Sequence, residues 1–144
     1  MPTITKEKAL KNQAMAPEGW RYDWKHYVMC GDNVLRRGIK LADGSMLEAT
    51  VSWRENYIER HNEWGCTWRA AAGTYRPELR VNRWVRCKYN PDMWESSGLG
   101  RGEVLQQMEA PKRVYKELCK FAAKVTDEQI LKLHSNGAEL QIAM

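Results

Sequence analysis

Residues 79–89 carry a row of side chains suited to anion recognition. At a period of two, Arg80, Asn82, Trp84, Arg86 and Lys88 share one face of a strand, while Leu79, Val81, Val85, Cys87 and Tyr89 share the other. Guanidinium groups present forked donors to phosphate or carboxylate oxygens, and an indole among them offers a flat surface for a base. Arg83 interrupts the alternation and reads as a bulge or a strand end. Arg69, Arg76 and Trp68 extend the set if a strand over 66–72 pairs with the one over 79–89. In the competing reading Trp84 packs under C-terminal helices, the arginines line a solvated rim, and their charge discourages edge pairing.

Charge singles out the same window. The 144-residue chain has a formal net charge of +5. Residues 69–88 hold Arg69, Arg76, Arg80, Arg83, Arg86 and Lys88 against Glu78 alone, and the flanking segments are close to neutral. A local basic patch is the electrostatic footprint of a site for an anionic partner. The chain also has seven tryptophans, more indole than a domain this small easily buries, and exposed Trp and Arg anchor interfaces. Trp clusters near 20–24 and 64–68 suit a sugar platform or a protein contact, with core packing as the plainer explanation.

The elements that must position these residues follow from local signals. Thr5 opens a helix over 5–15 that ends before Pro17. Residues 20–30 alternate as a strand and also carry a helical aromatic stripe; their aromatic content favours strand. Two alternating runs around Asp43-Gly44 predict a hairpin over 34–51. Ser52 and Glu55 have capping-box spacing, and Gly65 suits a left-handed cap, so a helix is expected over 53–64. Strands near 66–72 and 79–89 follow, joined by residues 73–77. A C-terminal helical layer over 103–135 is expected: a short helix over 103–110, a second opened by Pro111 with Val114, Leu118, Phe121, Ala122 and Val125 facing the core, and a third from Thr126 to Asn136-Gly137. The fold class is α+β: a small, mainly antiparallel sheet with an intervening helix and that helical layer, in a single domain over 1–144.

Other chemistries are less well supplied. Cys30, Cys66, Cys87 and Cys119 form no CxxC pair, and His61 and Cys66 with Cys30 or Cys87 lack zinc-finger spacing, so no metal is expected. His26, His61 and His134 lie in separate elements without a nucleophile motif, so no catalytic residues and no cofactor are assigned. Asn90-Pro91 followed by Glu95, Gly98, Gly100 and Arg101 loosely resembles the acyl-CoA loop of the GNAT acetyltransferases, with Glu95 in the family's Gln/Arg position. That resemblance implies a helix after the loop whose backbone N–H groups would hold pyrophosphate. No apolar N-terminal segment or membrane-spanning run is present, so a soluble, cytoplasmic protein with reduced thiols is expected.

The leading expectation is a small non-catalytic binding protein whose basic-aromatic face takes nucleic acid or a nucleotide-like anion. The site residues would be Arg80, Trp84, Arg86, Lys88, Arg69, Arg76 and Trp68. The alternative is a protein-interaction module against an acidic surface, such as an inhibitor or adaptor, including one that a phage directs at a host system. A divergent GNAT-like acyltransferase is the third reading.

Overall fold

The turn at Asp43-Gly44 fixes the first hairpin. Gly44 has φ of 88°, a conformation that L side chains resist, and Asp43 Oδ1 accepts from the Ser45 amide at 2.9 Å. Strands β2 (Val34–Lys40) and β3 (Met46–His61) run antiparallel from it, with Leu35 opposite Val51 and Ile39 opposite Leu47. The computed structural model describes residues 4–97, 100–135 and 142.

β3 does not stop at Val51, and the helix expected over 53–64 is strand and turn. Residues 53–61 pair across to β4 (Thr67–Arg86), with Trp53 opposite Pro77 and His61 opposite Thr67. Ser52, expected as a helix cap, lies buried opposite Glu78. Gly65 does take a positive φ, 83°, but it serves a β-turn in which Asn62 Oδ1 accepts from the amides of Trp64 and Cys66. A left-handed glycine closes helices and hairpins alike, and cross-strand pairing overrides a local capping signal.

The two strands expected over 66–72 and 79–89 are one continuous strand, so they cannot pair with each other. β4 runs from Thr67 to Arg86, and Lys88 and Tyr89 lie beyond its end. The expected connector is absorbed at a bulge: between Glu55 and Tyr57 the register shifts, and Gly73 adopts φ of 76°. Arg83 marks no bulge. It sits in register opposite Leu47, hydrogen-bonds Ser45 Oγ at 3.1 Å and ion-pairs with Asp43.

The sheet has six strands in the order β1-β2-β3-β4-β5, with β6 also on β4. β1 (Arg21–Tyr22) edges β2, while β5 (Trp94–Ser96) and β6 (Arg101–Val104) lie along the side of β4 away from β3. α3 (Tyr115–Ala123) and α4 (Asp127–Ser135) cover one face, burying Leu118, Ala122 and Ile130 with Leu35, Leu47, Val51, Leu79 and Val81. Each large apolar side chain among them contributes about 1.5–3 kcal/mol on burial. Trp53 docks the arrangement: its Nε1 donates to the Val114 carbonyl at 3.0 Å, and its ring meets Phe121 edge-on at 5.9 Å. The fold is thus α+β, with an antiparallel sheet, interspersed helices and a C-terminal helical pair.

Local assignments differ in three further places. Residues 20–30 are mostly helix: α2 (Trp24–Cys30) is capped by Asp23, which accepts from the His26 amide, and ended by Gly31 at φ of 78°. The helix expected over 103–110 is instead β6 followed by an extended stretch in which Ala110 bridges Tyr75. The helical layer therefore begins at Tyr115, four residues after Pro111, and Val114 is an exposed cap. α1 (Lys6–Met15) forms under Thr5, and Thr126 caps α4 by accepting from the Gln129 amide at 3.1 Å. The expected closure at Asn136-Gly137 lies outside the described residues.

Candidate anion-binding face

The strand alternation places the polar row on the sheet face that the helices leave open. Leu79 and Val81 are fully buried on the helix side, while Arg80 and Arg86 are exposed and Asn82 and Trp84 half-buried on the other. Trp84 is therefore neither under the helices nor a free platform: it lies in register between Met46 on β3 and Ser96 on β5. Arg86 stacks elsewhere, with its guanidinium 3.9 Å from the ring centre of Trp94. Lys88 is exposed just past the end of the strand, and Tyr89, which the alternation sets on the same face as Leu79 and Val81, is 91% exposed.

Because β4 is continuous, the seven expected residues fall into three places. Trp84, Arg86 and Lys88 lie near its C-terminal end, and Arg76 and Arg80 sit mid-strand. Trp68 and Arg69 lie on a two-stranded arm formed by residues 57–61 and 67–71. Sixteen residues separate Trp68 from Trp84, about 50 Å of strand at ~3.3 Å per residue. They do not form one patch, although Arg69, at the root of the arm, lines one cleft with Arg76 and Arg80.

Mid-strand, the charges converge on one carboxylate. Arg76, Glu78 and Arg80 alternate on the open face, and Arg54 lies directly opposite Arg76 on β3. Glu78 is only 8% exposed. Its Oε1 lies 3.0 Å from Arg80 Nε and 3.7 Å from Arg54 Nε, and its Oε2 lies 3.4 Å from Arg76 Nη2. Arg76 is tied down further, donating through Nη1 to the Glu55 carbonyl at 2.8 Å and to Asn56 Oδ1 at 3.2 Å. Arg54 and Arg80 meet Glu78 through Nε alone, and both side chains are half exposed. β6 leaves room for this pair because Gly102 faces Arg80; a Cβ there would come within 3.1 Å of Glu78 Oε1 and 3.2 Å of Arg80 Nε.

These groups line a cleft of about 550 Å³ whose other walls are Asp32, Trp53, Glu55, Tyr57, Arg69, Tyr75 and Arg113. Arg113 ion-pairs with Asp32 and lies 5.1 Å from the Tyr75 ring centre, and Arg69 lies 5.0 Å from that of Tyr57. Five guanidiniums face three carboxylates, a formal excess of two positive charges. Sequence reasoning misses Arg54 and Arg113. A helix over 53–64 hides the register of Arg54 opposite Arg76; extending the Asp43-Gly44 hairpin by alternation would have found it. Arg113 reaches the cleft through tertiary packing alone and carries no local signal.

The remaining chemistries fare differently. The loop that resembles the GNAT acyl-CoA loop leads into β6, not a helix, and Gly98 itself lies outside the described residues. Among the described residues no group of three or more His, Cys, Asp or Glu is placed to hold a metal ion, and no helix is long and apolar enough to cross a membrane. Burial pushes the Cys119 thiol up, away from a reactive thiolate. No family model, curated protein or solved structure matches this chain.

Proposed function

We propose that this is a small non-catalytic binding protein whose open sheet face receives an anionic partner, with nucleic acid the best fit. The observation that carries this reading is the surplus of arginines over carboxylates at mid-strand: Arg54, Arg76 and Arg80 share Glu78 alone. Six residues along, at ~3.3 Å each, the same strand offers Arg86 over Trp94 and the partly open Trp84, roughly 20 Å away. That spacing suits several consecutive nucleotides, with phosphates at the guanidiniums and a base near the indoles. Titration of a fluorescent single-stranded oligonucleotide at several salt concentrations tests it. Arg80→Ala/Arg86→Ala is expected to weaken binding and to flatten the log-affinity against log-salt slope by about 0.7 for each phosphate left without its arginine. Unchanged binding in that variant would remove the assignment. A 260/280 absorbance ratio of the purified protein that falls after a high-salt wash would support it independently.

A second reading, a protein-interaction module, draws on the arm. Tyr57, Ile58, Trp64 and Trp68 are exposed there, with Trp64 at 80%, and Glu59, Arg60, Glu63 and Arg69 leave the arm formally neutral. A neutral, aromatic projection suits a protein groove better than a phosphate backbone. Trp64→Ala/Trp68→Ala should leave oligonucleotide binding intact and abolish recovery of a stoichiometric protein partner after nuclease treatment.

A further inference from the structure

The cleft at the root of the arm differs from the open face around it in charge, donor geometry and shape. We propose that it binds a phosphomonoester, the terminal phosphate of a strand or nucleotide, in preference to a backbone diester; this rests on the reading of the open face as a nucleic-acid surface. Three observations carry it. The first is charge. The cleft has a formal excess of two, a phosphomonoester carries about −1.5 to −2 near pH 7, and a diester carries only one. The match is to the end of a chain, not to its middle.

The second is donor geometry. Arg54 and Arg80 approach the same oxygen of Glu78, each through Nε, and neither Nη fork is engaged by any described residue. Two such forks therefore stand beside one carboxylate, one from each of two adjacent strands. A carboxylate presents two oxygens in one plane and satisfies one fork, whereas a terminal phosphate presents three oxygens and can engage both. Arg76 is held by the Glu55 carbonyl, Asn56 and Glu78, so it supplies fixed charge without having to move.

The third is shape. The cleft is walled by Trp53 and Tyr75 and by Arg113 in its pair with Asp32. Gly102, with no side chain of its own, packs close behind the Glu78–Arg80 pair and lets it stand at the cleft floor. A recess walled by aromatic rings over a charged floor receives a chain end more readily than a strand passing through.

The test compares one single-stranded oligonucleotide phosphorylated at its 5′ end, at its 3′ end, or at neither, at fixed salt. A preference of about tenfold for a phosphorylated end is expected, the value of one charge-assisted pair. In Arg54→Gln that ratio should fall toward one, and Arg54→Lys, which keeps the charge and loses the fork, should fall between. Equal affinity of all three strands for the wild-type protein overturns the monoester assignment and leaves the open-face reading standing. If no strand binds, the open-face reading fails and thermal melting with a nucleoside monophosphate, its parent nucleoside or inorganic phosphate decides the cleft alone. Stabilisation by the monophosphate, absent in Arg54→Gln, supports the site, and stabilisation by inorganic phosphate as well assigns it to free phosphate groups. No shift with either overturns it.

Discussion

Glu78 governs how much positive charge the open face presents. Its carboxylate contacts three arginines from an almost buried position, so removing its charge acts on both folding and binding. Glu78→Gln is expected to cost about 1–3 kcal/mol, because Arg76 loses a charge-assisted partner. Anion affinity should rise at the same time as the cleft gains one unit of positive charge. Urea denaturation and oligonucleotide titration of the same variant check both halves. His134 gives a pH test elsewhere: burial, then Arg83 and Arg101, hold its pKa below the ordinary 6.5. The folded protein therefore takes up this proton less readily than the unfolded chain. Its contribution to stability is complete above pH 6.5 and declines as pH falls below that value toward the depressed folded pKa. His134→Gln should show a shallower loss of melting temperature in that window. Asp23 behaves similarly at lower pH. Burial raises its pKa, but hydrogen bonds from Arg36 and the His26 amide outweigh that, so its stabilisation is lost as pH drops below 3.8.

At the scale of elements, the joint between β3 and α3 depends on one side chain. Trp53 fills the core and also ties the Val114 carbonyl and the Phe121 ring, so Trp53→Ala should cost about 3–5 kcal/mol, measured by chemical denaturation. The same residue shows what the sequence could and could not convey. The hairpin at Asp43-Gly44 was legible because that turn has one dominant local chemistry. The Thr5 and Thr126 caps were legible for the same reason. Beyond Val51, Ser52, Glu55 and Gly65 match a helix locally, and only the partner strand, some twenty residues away, decides otherwise. Residues 23–31 fail the opposite way: Asp23 and Gly31 are ordinary helix ends, masked by aromatic alternation. The candidate face was legible as an alternation and illegible as a site, since Arg54, Arg113 and Trp94 join it only through pairing and packing.

Over the whole molecule, the sheet separates two environments. The helical side carries the core, and the open side carries Arg54, Arg76, Arg80 and Arg86, so core substitutions and substitutions of those charges should act independently. Ile130→Val, fully buried on the helix side, should cost about 0.5–1.5 kcal/mol without altering anion affinity. Arg86→Ala, at an exposed position stacked on Trp94, should reverse that pattern, weakening binding with little change in melting temperature. The charge excess read in residues 69–88 does lie along one strand, but the length of that strand divides it between arm, cleft and far end.

The continuous hairpin of β3 and β4 also bears on how the chain reaches its fold. Its pairs run from His61 with Thr67, six residues apart, to Met46 with Trp84, thirty-eight apart, and each rung formed shortens the loop the next must close. Folding can therefore advance as a zipper through long-range pairings that would otherwise be slow to find. On that route β5, β6 and the C-terminal helices, which pack on β4 and the sheet, would add their surface after those rungs form. Conservative truncations at Ala49 and Val81 should slow refolding, whereas those in α4 should mainly hasten unfolding, a division that stopped-flow chevrons would display.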